Sequence, residues 1–226
     1  MSSHILSKVG FVINQIKEGE IKSVFKVILN RINSKQLAFG FKRDLNEESK
    51  APRTFVKTTI RPFKNDDVEH FNMDTTNISL INQIPTCYVA TTKEDIPCIR
   101  LWLIDSSQNK KIKDFWGDTY PQLAEDEVLL ESAFTIPKFR GLGLHSAVMY
   151  QVAEKAKDSG ANFAIAFTPI SNINSLRSLT YASFKPYIIR KEKYFLFKKS
   201  VIYEEISPEL MEYYNNSTNR KRKAKS

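Results

Sequence analysis

The chain has 226 residues, of which 42% are hydrophobic and 12% aromatic; this composition supports a buried core and excludes wholesale disorder. Its longest apolar run is the five residues 163–167, which excludes a membrane-spanning helix because such a helix needs about 20 apolar residues. The net charge of +9 lies at the two ends, because residues 51–214 carry 20 basic and 20 acidic side chains. We therefore expect no specific nucleic-acid partner, whose binding domain would carry a basic stripe, and, without a secretory signal, a cytoplasmic protein.

Residues 1–50 are predicted to form a basic, helical N-terminal extension. Apolar residues at three- and four-residue steps predict a helix over residues 5–33, with lysines on its other faces. Its apolar stripe would pack on the main domain or on a second subunit of a homodimer, or lie on an anionic membrane surface. Residues 44–53 are polar and contain a proline, as is typical of a linker.

Residues 51–204 are predicted to form the main domain, which begins with three β-rich segments: residues 55–63, 87–91 and 98–105. The last two read as an antiparallel pair that contains Cys87 and Cys98, which we expect to be buried free thiols. The three histidines lie far apart in sequence, so no metal site is predicted.

The second half of the domain alternates strands and helices. Strands are predicted over residues 127–136 and 161–167, helices over 144–159 and 172–182, and a closing hairpin over 187–190 and 194–199. This order predicts a mixed α/β sheet. Residues 205–226 are expected to form a short helix and a disordered basic tail.

One strand-to-helix junction carries a chemical motif. The segment Thr135-Ile-Pro-Lys-Phe-Arg140-Gly141-Leu142-Gly143-Leu144-His145 contains two of the chain's seven glycines. Small residues at the start of a helix let backbone N–H groups approach phosphate oxygens, and the helix dipole favours the negative charge. A phosphorylated cofactor would therefore fit here, although an ordinary tight loop has the same composition.

This segment resembles the acyl-CoA pyrophosphate loop of the GNAT acetyltransferase superfamily, Arg/Gln-x-x-Gly-x-Gly/Ala. Arg140 and Gly143 occupy the first two fixed positions, and His145 stands where the family prefers a small residue. Asn172 and the Ser183-Phe184 pair are similar to the ends of the family's second cofactor helix, but Leu179 replaces its frequent tyrosine. The chain further resembles a bacterial GNAT subgroup with a basic helical N-terminal extension and no assigned acceptor.

The resemblance implies a mostly antiparallel sheet of six to seven strands, flanked by helices and splayed between the fourth and fifth strands. It also implies transfer of an acyl group, most simply acetyl, from acetyl-CoA to an amine of a small molecule or sugar. The implied cofactor contacts fall into three groups. The backbone of Phe134, Thr135 and Ile136 would hold the thioester oxygen, and Asn172 and Ser175 would contact the pantetheine side. The third group would cradle the pyrophosphate. The pyrophosphate residues are Arg140, Gly141, Leu142, Gly143, Leu144, His145 and Ser146.

The reaction needs a base, because an ammonium group cannot attack a thioester. Glu127 and Glu131 are four residues apart on one predicted strand, so alternation places them on one face, together with Thr135. A partly buried carboxylate there would have a raised pKa, as suits a general base. A solvent-facing pair of glutamates is the alternative. Tyr181 and Tyr187 qualify as general acids by residue type alone.

Aromatic residues before this strand and in the closing hairpin are the candidates for acceptor binding: Trp102, Trp116, Tyr120 and Tyr187. They would suit a sugar or a flat ring, but such residues also build minor hydrophobic cores. Two other functions stay open: a non-catalytic CoA-binding sensor or assembly module, which the residues at 145 and 179 favour, and an aminoacyl transferase of the peptidoglycan-building type, which the neutral middle disfavours.

Overall fold

A computed structural model of the protein describes residues 33–71 and 73–219. It divides them into two compact units: residues 38–190 with 203–219, and residues 33–37 with 191–202. Within these ranges no helix is both long and apolar enough to cross a bilayer. The helix predicted over residues 5–33 lies outside the described residues except for Asn33, and so does the end of the basic tail, residues 220–226.

The described chain contains eight strands and five α-helices. The strands are β1 (Asn33–Asp44), β2 (Thr59–Pro62), β3 (Cys87–Thr91), β4 (Pro97–Asp105), β5 (Glu127–Thr135), β6 (Phe163–Pro169), β7 (Lys185–Phe195) and β8 (Lys198–Glu204). The helices are α1 (Thr75–Gln83), α2 (Asn109–Trp116), α3 (Leu144–Ala156), α4 (Ile173–Tyr181) and α5 (Pro208–Thr218). The strands form one sheet in the order β2-β3-β4-β5-β6-β1-β7-β8, which confirms the mixed and mostly antiparallel α/β prediction.

Strand β1 was not predicted and raises the strand number from six or seven to eight. It occupies residues that the sequence pattern assigns to the helical extension and linker, and it pairs antiparallel with β6 from Ala38–Pro169 to Asp44–Phe163. Gly40 allows this close packing, because a Cβ there would lie 2.5 Å from Ile188 and 2.7 Å from Phe167. Within the predicted helical extension, residues 33–44 are therefore a strand, most of which is buried from residue 38 onwards.

The core lies on both sides of β4, β5 and β6. On one side, Trp102, Leu129 and Ile165 are almost fully buried in a cluster that extends to helices α1 and α2. Cys87 and Cys98 are buried free thiols, as predicted. Burial raises the pKa of Cys87 to about 12, so this thiol stays protonated and unreactive at neutral pH.

Two further elements differ from the prediction. Helix α1 was missed, although Asp74 caps it by accepting a hydrogen bond from the backbone of Asn77 at 2.8 Å. The closing hairpin turns at residues 196–197, so β7 and β8 are longer than predicted. Gly160 ends the α3 segment with a left-handed conformation (φ 84°), as expected of a C-terminal glycine.

Strands β5 and β6 separate after three pairs. They run parallel and pair only at Glu127–Phe163, Val128–Ala164 and Leu129–Ile165, yet β5 continues to Thr135 and β6 to Pro169. The sheet therefore opens between the two strands, at the place where the resemblance implied a splay. The second half of β5 keeps β4 as its partner on the other side.

Candidate active site

The glycine-containing junction joins the open end of β5 to helix α3. A single 3-10 turn, Pro137–Phe139, is followed by the loop and by Leu144, the first residue of α3. Gly141 (φ 79°) and Gly143 (φ 74°) both adopt the left-handed conformation that residues with a Cβ rarely take. The first N–H groups of a helix have no partner inside it and carry partial positive charge. The junction therefore offers backbone donors beside the gap between β5 and β6.

A second segment of the chain lies against this loop. The backbone N–H of Phe55 and the hydroxyl of Thr54 both donate to the carbonyl of Leu142, at 3.0 and 3.1 Å. A Cβ on Gly143 would lie 2.6 Å from the carbonyl oxygen of Arg53. Gly143 is therefore required twice, for its backbone conformation and for this close approach. Sequence reasoning missed the contact, because nothing in residues 53–55 marks it.

Two side chains of the loop, Ser146 and Arg140, differ in their burial and hydrogen bonds. Ser146 is buried and its hydroxyl donates to the carbonyl of Gly143 at 3.0 Å, so it does not occupy the free N–H groups of the helix start. Arg140 is exposed; its Nε donates to the carbonyl of Thr135 at 3.1 Å and its guanidinium lies 5.7 Å from the ring of Phe134. Its charge thus stays at the end of β5, next to the loop.

His145 does not add positive charge to the loop. Burial lowers its pKa to about 4, so the imidazole is neutral at neutral pH. Its Nδ1 is buried and has no hydrogen-bond partner among the described residues. The departure from the family pattern at this position therefore changes the packing beneath the loop, while the backbone N–H of residue 145 is retained.

A bulge in β5 alters which side chains share a face. Trp102 pairs with Glu131 and Arg100 with Phe134, so two residues of β5 oppose the single residue Leu101. Ser132, in the bulge, has a φ of 53°. The bulge shifts the alternation by one residue and puts Phe134 on the face of Glu131. The prediction that Thr135 shares this face was wrong for that reason.

The bulge also decides which backbone group faces the gap. The N–H of Ile136 donates to the carbonyl of Cys98 at 2.9 Å, so it serves the sheet and is not available to a thioester, contrary to expectation. Successive N–H groups of a strand point to opposite edges. The N–H of Thr135 therefore points away from β4, towards the open side. Buried Arg100 holds the bulge, donating to the carbonyl of Ser132 at 3.0 Å.

Glu131 is partly buried at the start of the open part of β5. Burial raises the pKa of its carboxyl group, and hydrogen bonds from the Tyr120 hydroxyl and the Ser132 backbone, with the nearby charge of Arg190, partly oppose that rise. Arg190 donates to the carbonyl of Thr119 at 3.0 Å and lies 5.1 Å from the ring of Tyr120. Sequence reasoning did not find Arg190, which lies 59 positions after Glu131.

Glu127 has a different environment. It lies at the closed end of β5, where the strand pairs with Phe163 of β6. Its carboxylate accepts hydrogen bonds from the ammonium group of Lys42 at 2.6 Å and from the backbone of Ala124 at 3.0 Å. Both of its oxygens thus have structural partners, and the assignment of Glu127 as a base stays a prediction that the geometry disfavours relative to Glu131.

The predicted acceptor residues are not gathered into one wall. Trp102 is fully buried and its indole N–H donates to the carbonyl of Ile84 at 2.9 Å, so it belongs to the core. Trp116 and Tyr120 pack edge to face, with ring centroids 5.2 Å apart. Tyr187 lies elsewhere, 5.3 Å from the ammonium of Lys42, and burial together with the charge of Glu127 raises its pKa to about 12.

Tyr120 also lines a surface cleft of about 520 Å³. The cleft is bordered by helix α2, the turn that follows it and Tyr203. Because Tyr120 lines the cleft and its hydroxyl interacts with Glu131, this one residue connects the cleft with the candidate base.

Helix α4 begins beyond the end of β6, on the other side of the gap. Asn172 caps it, its Oδ1 accepting from the backbone N–H of Ser175 at 3.2 Å. Ser183 at its far end adopts a left-handed conformation (φ 67°), which glycine takes more readily than serine. Leu179 is buried and Tyr181 is half exposed. Residues 33–71 and 73–219 contain no group of three or more His, Cys, Asp or Glu that could hold a metal ion.

No protein-family model and no curated protein matches the sequence. Solved structures do match the fold. A GCN5-related N-acetyltransferase from Sphaerobacter thermophilus has a TM-score of 0.51 at 12% identity, over 84% of this chain and 58% of that one. A GNAT-family acetyltransferase from Colwellia psychrerythraea has a TM-score of 0.50 at 11% identity, over 77% and 61%.

A third similar structure is fungal: the GCN5-related glucosamine N-acetyltransferase region of a multi-domain GH3 β-N-acetylglucosaminidase, with a TM-score of 0.53 at 12% identity, over 79% of this chain and 23% of that one. The chain spans about three fifths of the length of the first two structures.

Proposed function

This chain has the GNAT acetyltransferase fold, and we propose that it is an acyl-CoA-dependent N-acyltransferase that moves an acetyl group from acetyl-CoA to an amine. The observation that carries the proposal is the parting of β5 and β6 after three pairs, beside a loop whose two glycines lead into a helix. The gap accepts an extended pantetheine arm, and the helix start accepts the diphosphate. Arg140 adds a cation at the same end of β5.

Glu131 is the proposed general base. Burial raises the pKa of its carboxyl group, so it accepts a proton more readily than a solvent-exposed glutamate does. Its carboxylate takes one proton from the acceptor ammonium, directly or through a water molecule. The free amine then attacks the thioester carbonyl, and the N–H of Thr135 stabilises the oxyanion that forms. When the C–S bond breaks, the thiolate takes the second amine proton, which gives the amide and the thiol.

The acceptor is proposed to reach Glu131 past Tyr120. The cleft of about 520 Å³ that Tyr120 lines is large enough for a monosaccharide or a single-ring amine. Trp116, which packs on Tyr120, supplies part of the apolar surface such a ring needs. One structural neighbour is a glucosamine N-acetyltransferase region, so glucosamine belongs in the first panel of acceptors.

The experiment that tests the function is thiol release from acetyl-CoA with a panel of amines, followed by mass spectrometry of the acetylated product. We expect acceptor-dependent release of one thiol per amide formed. The sensor alternative, favoured by buried Leu179 and neutral His145, predicts a thermal shift with coenzyme A but no product with any amine. If the protein shows neither thiol release nor a thermal shift, the proposed cofactor site does not exist in this fold.

Tyr120→Phe is expected to move the acidic limb of the pH–rate profile to higher pH. The Tyr120 hydroxyl donates to the Glu131 carboxylate and so opposes the rise in its pKa; without that bond the base is protonated over a wider range. On that limb turnover at a given pH should fall by up to about fivefold, the effect of one hydrogen bond. The measurement is kcat against pH with Tyr181→Phe as the control, since Tyr181 is half exposed on α4. An acidic limb that stays at the same pH in Tyr120→Phe would contradict the effect of the Tyr120 hydroxyl on the pKa of Glu131.

A further inference from the structure

The hairpin formed by β7 and β8 has an unusual turn. Its two central residues, Leu196 and Phe197, have φ values of 45° and 66°. Positive φ at both positions is the requirement of a type I′ turn, for which Asn-Gly is the favoured sequence. Leucine and phenylalanine are poorly suited to it, because the left-handed conformation brings Cβ close to the following carbonyl oxygen. The turn therefore carries two large apolar side chains where two small residues would be more stable.

These side chains contribute little to the packing of the hairpin. Phe195, Leu196 and Phe197 are 57%, 61% and 61% exposed, so three consecutive large apolar residues project from one tip. A single exposed leucine is ordinary on a protein surface, whereas a contiguous apolar patch marks an interaction site. The strain and the exposure act in the same direction, since both cost stability in water.

The tip is also surrounded by positive charge. Residues 191–202 contain four lysines and one glutamate. Lys193 and Lys198 are exposed and flank the apolar residues on the two strands, and the Lys193 ammonium lies 5.6 Å from the ring of Phe195. Lys199 pairs with Glu192 at 2.6 Å. An apolar tip flanked by two exposed lysines matches the layers of an anionic bilayer, where acyl chains lie beneath negative headgroups.

We propose that this tip, residues 193–198, binds the surface of anionic membranes by inserting Phe195, Leu196 and Phe197 at the headgroup boundary. The lysines contact lipid phosphates, and the apolar side chains leave water. None of these residues is among those proposed for acyl transfer. Membrane binding gives the two unfavourable turn residues a role that their contacts with the described residues do not.

The test is co-sedimentation of the full chain with vesicles. We expect binding to vesicles of phosphatidylcholine containing about one third phosphatidylglycerol, and little binding to phosphatidylcholine alone. Raising the salt concentration from about 0.1 M to about 1 M should weaken binding, because the screening length falls from about 10 Å to 3 Å. Lys193→Gln with Lys198→Gln should weaken it further, by about fivefold per lysine.

The decisive variant is Leu196→Asn with Phe197→Gly, which installs the preferred turn sequence. We expect vesicle binding to fall at least tenfold while Tm stays the same or rises by a few degrees, because the strained residues are replaced. A purely structural role for the two side chains predicts the opposite, a lower Tm. Loss of binding in this variant thus cannot be attributed to unfolding.

Phe55→Ser is the matched control, since Phe55 is 88% exposed and lies outside this hairpin; its vesicle binding should equal that of the unchanged chain. Three outcomes would overturn the proposal. The first is that the unchanged chain does not sediment with anionic vesicles. The second is that the Leu196→Asn, Phe197→Gly variant binds as well as the unchanged chain, which assigns binding to another basic segment. The third is that ultracentrifugation without vesicles shows a dimer that this variant abolishes, which makes the tip a contact between copies.

Discussion

Glu131→Gln is expected to lower kcat/KM for acetyl transfer by about 10²- to 10⁴-fold, the usual contribution of a positioned general base. The glutamine side chain is nearly the same size as that of glutamate but cannot accept a proton, so coenzyme A binding should be unchanged. The unchanged enzyme should lose activity as pH falls through the pKa of Glu131, which burial raises above its ordinary value. That acidic limb should be absent from the residual activity of the variant.

The stability of this variant separates lost chemistry from lost structure. A carboxyl group with a raised pKa in the folded state disfavours folding when it is ionised, so at neutral pH Glu131 costs stability. Its replacement by glutamine should leave Tm unchanged or higher. A large drop in Tm together with the drop in rate would mean that the variant reports on folding.

Glu127→Gln is the matched control on the same strand. Glu127 pairs with Lys42 at the closed end of β5, so its replacement should change kcat/KM by less than about threefold, with some loss of stability from a partly exposed ion pair. If Glu127→Gln abolished turnover and Glu131→Gln did not, the base would be Glu127 and the assignment made here would be wrong.

Gly143→Ala is expected to destabilise the protein by about 2–4 kcal/mol and to weaken coenzyme A binding at least tenfold. The left-handed φ of 74° costs a residue with a Cβ about 1 kcal/mol. The new methyl group would also lie 2.6 Å from the carbonyl oxygen of Arg53, a backbone atom that can move only if residues 53–55 or the loop shift. Either shift displaces the N–H groups that face the diphosphate.

Gly160→Ala isolates the contribution of strain. Gly160 has a similar left-handed conformation (φ 84°, ψ 12°, against φ 74°, ψ 4° at Gly143), but no atom lies within 4 Å of the added Cβ. Its replacement should cost about 1 kcal/mol in urea unfolding and leave coenzyme A affinity unchanged. Equal effects of the two substitutions on stability, or full coenzyme A affinity in Gly143→Ala, would show that residues 53–55 do not fix the loop.

The local features of the fold could be predicted because local chemistry determines them. The glycine-containing turn before the helix that begins at residue 144 and the two strands on either side of that helix follow from a few adjacent residues. The separation of β5 and β6 did not follow from such chemistry; it came from the resemblance, and the three parallel pairs confirm it.

Features that depend on distant residues could not be predicted. Strand β1 is recognisable only once β6 offers it an edge, because Gly40 and Lys42 interrupt its apolar pattern. The bulge at Ser132 depends on buried Arg100, 32 positions earlier, and it reversed the predicted side of Thr135. Arg190 reaches Glu131 and Thr119 only through the tertiary fold. Propensity and spacing carry no information about such pairings.

The central claim is that the gap between β5 and β6, with the loop from Arg140 to Ser146, binds a CoA thioester. Isothermal titration calorimetry of the full chain with acetyl-CoA tests it most directly. We expect one binding site per chain, with affinity reduced at least tenfold by Gly143→Ala and unchanged by Gly160→Ala. A folded protein that releases or absorbs no heat with acetyl-CoA at several temperatures, and shows no thermal shift, would contradict it.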